Sequence, residues 1–185
     1  MATPALAQAQ TAGRRITADE IRDIARREML WCESFDAAGQ DCETVTLLRL
    51  LPDGRLAETS TRLLQEDPRL QVFIADSGAI DGDRVCSKID SNRTGLSFTL
   101  DGRVLPTAES VVLRLMFMAL MTEYEGKTLC QSFAWGDEPN EVVEEITLDG
   151  ERRPELESTY MLREGEAGLN LRAGDSQNGS ATVHL

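Results

Sequence analysis

The residues whose type and spacing most clearly indicate chemistry are four cysteines, Cys32, Cys42, Cys86 and Cys130. They form no C-x-x-C redox pair and stand at no zinc spacing with histidine, so the sequence predicts structural disulfides. Of the three possible connectivities, we favour Cys32 with Cys42 and Cys86 with Cys130. The first bond would close a short loop between a helix end and a strand, and the second would tie a strand to the far side of a helix.

No other spacing of reactive side chains indicates a catalytic or metal site. The one histidine, His184, is the penultimate residue, and the sequence has no G-x-S-x-G elbow and no glycine-rich phosphate loop. Asp76, Asp81 and Asp83 could supply oxygen ligands to calcium, but the EF-hand spacing is absent, so residues 76–83 are interpreted as a solvated loop. We therefore nominate no catalytic residue, metal or cofactor. A hydrolase that uses two of the 32 acidic residues stays an alternative.

A cluster of flexible and aromatic apolar residues could form a ligand pocket. Methionine adapts to irregular apolar shapes, and several methionines lie on one predicted helix. A pocket for an apolar small molecule would form between this helix and a sheet face. The predicted lining is Met116, Phe117, Leu120, Met121, Phe133 and Trp135. The alternative is an ordinary core between a helix and a sheet.

The beginning of the chain and the cysteines together indicate a compartment. Residues 5–7 read Ala-Leu-Ala, a pattern that signal peptidase accepts, although no apolar segment precedes it. We interpret residues 1–14 as a signal-peptide remnant or disordered N-terminus, residues 15–172 as one domain, and residues 173–185 as a disordered tail. With disulfides, this predicts a periplasmic or secreted protein.

The chain is strongly acidic. It has 19 Lys and Arg against 32 Asp and Glu, a formal net charge of −13. This charge disfavours nucleic acids and anionic membrane surfaces and would attract a basic protein partner. The longest apolar run, residues 111–121, is shorter than the roughly 20 residues of a membrane-spanning helix.

Several local patterns predict secondary structure. Thr17 and Glu20 have the spacing of a capping box, which starts an amphipathic helix that we extend to about Trp31. Asp-Gly pairs at 53–54, 101–102 and 149–150 predict tight turns between strands. Residues 107–125 form a second predicted helix that is apolar almost all round, which favours burial on most of its faces.

These elements predict an α+β fold. We expect a twisted, mainly antiparallel sheet of about six to nine strands, packed on one buried helix, with the amphipathic N-terminal helix at its side. The functional hypothesis is an exported, disulfide-stabilised, non-catalytic binding or interaction protein. The alternatives are an acidic inhibitor or immunity-type protein that masks a basic partner, and the carboxylate hydrolase.

Overall fold

A computed structural model of the chain describes residues 11–165 and 169–173. Residues 1–10 and 174–185, which hold most of the predicted N-terminal remnant and almost all of the predicted tail, lie outside the described residues. His184 lies outside them as well.

The described chain is dominated by strands, with two α-helices and one short 3-10 helix. In chain order the elements are α1 (Ala18–Arg26), β1 (Leu30–Glu33), β2 (Asp41–Cys42), β3 (Thr44–Leu50), β4 (Leu56–Gln65), β5 (Leu70–Asp81), β6 (Arg84–Lys88), β7 (Gly95–Leu100), β8 (Arg103–Val104), α2 (Thr107–Met121), β9 (Thr128–Trp135), β10 (Glu141–Leu148), β11 (Glu151–Arg152), the 3-10 helix (Pro154–Leu156), β12 (Thr159–Arg163) and β13 (Asn170–Leu171).

Eight of the strands close into an antiparallel barrel. Their order is β4-β3-β1-β12-β10-β9-β6-β5, and β5 pairs again with β4 along residues 70–78. The long strand β5 leaves the barrel at its beginning, where residues 70–75 pair with β7 instead of β6. The predicted α+β fold is therefore wrong. Alternating apolar and polar residues are compatible with an open or a closed sheet, and the closing pairs, such as β1 with β12, join residues far apart in the sequence.

Helix α1 covers one end of the barrel. Its capping box is confirmed, because the Thr17 side chain accepts from the Glu20 backbone N–H and the Glu20 carboxylate accepts from the Thr17 backbone N–H. The buried side chains Ile21, Ile24 and Ala25 pack against inward-facing residues of the strands. Arg14 also pairs with Glu20, and this guanidinium holds the pKa of Glu20 at about 2.

The predicted extension of α1 to Trp31 is wrong. The helix ends at Arg26, Glu28 takes a positive φ of 49°, and Leu30–Glu33 form strand β1. All four residues of β1 are buried because β1 is paired with β3 on one side and β12 on the other. A strand buried on both faces has no alternating pattern that would distinguish it from the end of a helix.

The three predicted Asp-Gly turns are confirmed. They join β3 to β4, β7 to β8, and β10 to β11. Asp101 and Gly102 have φ of 49° and 78°, and Asp149 and Gly150 have φ of 51° and 87°. At residues 101–102 and 149–150 both positions thus adopt the left-handed conformation of a type I′ hairpin, which Asp and Gly tolerate better than other residues. At residues 53–54 only Gly54 does so, with a φ of 83°.

Helix α2 lies over the opposite end of the barrel from α1. Leu113 packs on Val72 and Phe98 of β5 and β7, while Met121 packs on Leu129 of β9. The prediction that this helix is buried on most faces is wrong. Only Ser110 and Met121 are buried in it, and one whole side of the helix is exposed. It covers an end of the barrel and is not the centre of the core.

Both predicted disulfides are confirmed. Cys32 is bonded to Cys42, with a sequence separation of 10, and Cys86 is bonded to Cys130, with a separation of 44. Cys86 and Cys130 are directly opposite each other on β6 and β9. By the alternation of the strands, Cys32, Cys86 and Cys130 face outward, so the disulfides leave the interior free for other side chains.

Candidate functional site

The inner wall of the barrel carries a large polar surface, which we call the lumen. The cross-strand register places these side chains on the same face as the buried tryptophans Trp31 and Trp135. Alternate residues of each strand lie on this face, and the residues paired with them on the neighbouring strands continue it around the barrel. Its polar members are Glu33, Thr44, Thr46, Glu58, Ser60, Arg62, Asp76, Gln131, Glu144 and Tyr160.

Glu144 is the most deeply buried carboxylate of the lumen, with 1% of its surface exposed. Gln131 Nε2 donates to one carboxylate oxygen at 2.9 Å, and the Tyr160 hydroxyl donates to the other at 3.1 Å. Burial, together with the negative charges of Glu144 and Glu33, raises the pKa of Tyr160 well above its usual value. Tyr160 therefore remains a hydrogen-bond donor throughout the physiological pH range.

A second polar group lies on β3, β4 and β5. The Thr46 and Ser60 hydroxyls are 2.7 Å apart, and Ser60 Oγ donates to Glu58 at 3.3 Å. Asp76 is opposite Glu58 in the register of β4 and β5. Burial raises the pKa of Asp76 against the opposing effect of the Ser77 backbone N–H, which donates to its carboxylate. Two separate sides of the lumen thus hold carboxylates.

A pocket of about 470 Å³ opens at the end of β1 and the beginning of β12. We call it the rim pocket, because it has lining residues from both the inner and the outer face of the barrel wall. Its volume lies within the range of small-molecule sites, roughly 300–1,000 Å³. The lining residues are Glu33, Ser34, Phe35, Glu141, Glu155, Glu157, Ser158, Thr159, Tyr160 and Met161.

Two glutamates of the rim pocket are held ionised by arginines outside it. Arg152 donates to both carboxylate oxygens of Glu157, at 2.7 and 2.8 Å, and this lowers the pKa of Glu157. The pKa of Glu155 is lowered first by its own backbone N–H and then by Arg153, which donates at 2.5 Å. Both carboxyl groups are therefore negatively charged at neutral pH.

The rim pocket and the lumen meet at Glu33. This residue is 7% exposed, and its carboxylate accepts a hydrogen bond of 2.8 Å from the Ser158 hydroxyl. Thr44 lies opposite Glu33 on β3, and its buried hydroxyl has no hydrogen-bond partner within residues 11–165 and 169–173. The same holds for the indole N–H groups of Trp31 and Trp135. Such groups can bind an ordered water or a polar ligand.

The structure separates the six residues of the predicted apolar pocket. Phe133 and Trp135 lie in the barrel core beside α1, whereas Phe117 and Met121 lie in a second cluster under α2. Met116 and Leu120 point outward and are 62% and 46% exposed. None of the six residues lines the rim pocket. Binding of an apolar ligand by these residues stays a prediction.

Sequence reasoning missed the acidic residues of the lumen and the rim pocket. One signal was available in β10, where Val142, Ile146 and Leu148 are buried on one face and Glu144 occupies the remaining position of that face. A carboxylate on the strand face whose other residues are apolar indicates that the interior of the protein contains polar groups. Residues 76–81, interpreted as loop, are instead the second half of β5.

The fold and the site define a class: a disulfide-bonded β-barrel with a polar lumen and an acidic pocket at its rim. No protein-family model, curated protein or solved structure matches the chain. Within the residues that the structure describes, no cluster of three or more acidic, cysteine or histidine side chains could hold a metal ion. Nor does that part of the chain include a helix long and apolar enough to cross a membrane.

Proposed function

We propose that this protein is a non-catalytic binding protein that works outside the reducing cytoplasm, in the periplasm or as a secreted protein. Its ligand is a small organic cation, bound in the rim pocket. The two disulfides of a small β-barrel are compatible with a stable extracellular binding protein.

The observation that supports a cationic ligand is the charge of the rim pocket. Among its ten lining residues are four glutamates and no basic side chain. Four hydroxyl-bearing residues lie beside them, and Phe35 and Met161 supply apolar surface. A protonated amine would be held by the carboxylates, while the carbon skeleton of the ligand would contact Phe35 and Met161.

Binding is favoured over hydrolysis by the ionisation of the pocket. A general acid in a carboxylate hydrolase needs a raised pKa so that it holds a proton at neutral pH. The pKa values of Glu155 and Glu157 are lowered instead. Because each of them already pairs with an arginine, these two groups are unsuited to donate a proton.

Calorimetric titration with matched probes tests the proposal. The probes are phenethylammonium, spermidine, and phenylacetate as the aromatic control of opposite charge. We expect at least one of the two cations to bind, with an affinity that falls as salt is added, and phenylacetate not to bind. Absence of binding by both cations, or equal binding of phenylacetate, would overturn the proposal.

Charge-removing variants locate the site. We expect the double variant Glu155→Gln and Glu157→Gln to weaken cation binding several-fold, since it removes two of the four carboxylates of the pocket and leaves the positive charges of Arg152 and Arg153 without their partners beside it. Glu151→Gln is the control, because Glu151 is an exposed residue of β11 outside the rim pocket. It should bind as the unchanged protein does; equal weakening by both changes would indicate a general effect of net charge.

A further inference from the structure

Helix α2 carries a wide apolar face that no described part of the chain covers. The face lies opposite the side that packs on the barrel through Leu113, Phe117 and Met121. Several of its side chains are more than half exposed: Val112 at 63%, Leu115 at 61% and Met116 at 62%. We call this surface the α2 outer face, formed by Ala108, Val111, Val112, Leu115, Met116, Met118, Ala119 and Leu120.

The α2 outer face is large for a molecule that acts alone. From the exposed fractions it covers roughly 600 Å², at the upper limit of the largest apolar patch on a typical monomer. Each partner of a standard protein interface contributes about 800 Å², so this face with its polar border is large enough for a stable contact. The area therefore indicates a protein interface.

The order of residues on α2 is self-complementary. In an antiparallel pair of helices centred between Leu113 and Arg114, Val112 of one copy lies opposite Leu115 of the other, and Val111 lies opposite Met116. Ala108 then meets Ala119, so small residues at both ends allow the two backbones to approach closely. A two-fold interface needs this property, since the same surface serves both partners.

Charge also favours a second copy at this face. The chain has a net charge of −13, so most contacts between two copies would bring carboxylates together. Glu109 is the one acidic residue of α2, it lies on the same side of the helix as Met116, and it is already paired with Arg103 at 2.8 Å. Two copies can therefore meet here without like charges facing each other.

We propose that α2 of one copy pairs antiparallel with α2 of a second copy, so that the protein is a two-fold homodimer. The dimer does not depend on the proposed ligand, because the residues of the α2 outer face are not part of the rim pocket. The proposal of a dimer and the proposal of cation binding can therefore be disproved independently.

Sedimentation velocity, with light scattering after gel filtration, tests the dimer. At protein concentrations of roughly 10–200 µM, we expect the unchanged protein to be a dimer, and Val112→Lys and Leu115→Glu each to be monomers, since each introduces two buried charges per interface. Val143→Glu is the matched control: Val143 is 42% exposed on the outer wall of β10, and this variant should stay a dimer. Circular dichroism checks that each variant is folded.

The double variant Val112→Lys with Leu115→Glu tests the antiparallel register. In this register each new lysine lies opposite a new glutamate of the second copy, so the dimer should return. A double variant that stays monomeric would overturn the register. A monomeric unchanged protein, or a folded Leu115→Glu variant that remains a dimer, would overturn the proposal as a whole, and the apolar face would then serve a different partner.

Discussion

At the scale of single residues, the lumen is organised by hydrogen bonds to buried carboxylates. Glu144 would be costly inside the barrel if it were not solvated by protein groups, and Gln131 and Tyr160 each donate to one of its oxygens. The three side chains come from adjacent strands, β9, β10 and β12, so their positions depend on the register of the barrel wall. The hydrogen bonds to Glu144 therefore form only when these three strands are paired in the register of the barrel.

Removal of the Tyr160 hydroxyl should destabilise the protein. Tyr160→Phe leaves one oxygen of buried Glu144 without that donor, which we expect to lower the free energy of unfolding at pH 7 by about 1–3 kcal/mol. The measurement is urea-induced unfolding. Tyr124→Phe is the control, because Tyr124 is only partly buried at the edge of the α2 cluster, and its effect should be smaller. Equal effects of the two changes would contradict a special role for the Glu144 network.

The same tyrosine predicts a dependence on alkaline pH. The pKa of Tyr160 is raised in the folded protein, so above the ordinary tyrosine pKa of about 10 the unfolded chain releases a proton that the folded chain keeps. The stabilising contribution is complete below pH 10 and is lost as pH rises further. Tyr160→Phe should show a smaller loss of stability between neutral pH and about pH 11 than the unchanged protein does. An unchanged loss would show that Tyr160 ionises freely in the folded state.

At the scale of elements, motifs formed by neighbouring residues could be predicted from the sequence, whereas the packing of elements against each other could not. The capping box of α1 and the Asp-Gly turns depend on neighbouring residues, and the structure confirms them. Strand β1 was missed because it is buried on both faces. Helix α2 was predicted to be buried, since its apolar composition does not say whether the protein itself or another molecule covers it.

The two disulfides should differ in their contribution to stability. Loss of a crosslink frees the unfolded chain, by about 3 kcal/mol for the 10-residue separation of Cys32 and Cys42 and about 4 kcal/mol for the 44-residue separation of Cys86 and Cys130 in the chain-entropy model. Replacing both cysteines of the second pair by alanine should therefore lower the unfolding midpoint in urea more than replacing the first pair. The reverse order would show that local packing outweighs chain entropy.

At the scale of the whole molecule, closure of the barrel brings acidic residues that are distant in the sequence together in one pocket. Glu33, Glu141 and Glu157 are more than 100 residues apart at the extremes, and only the pairing of β1 with β12 and of β12 with β10 brings them to one rim. With 32 acidic residues, no sequence pattern could select these few. The composition shows that the protein is acidic, but which carboxylates line the rim pocket is known only from the strand pairing.

The central claim is that the rim pocket binds an organic cation, and the most direct test is a ¹H–¹⁵N NMR titration with phenethylammonium and spermidine in parallel. We predict that at least one cation produces saturable shifts concentrated at the backbone amides of Ser34, Phe35, Ser158, Thr159 and Tyr160, with the amides of α1 unchanged. Saturable shifts confined to other surfaces, or no saturable shifts with either cation, would contradict the claim.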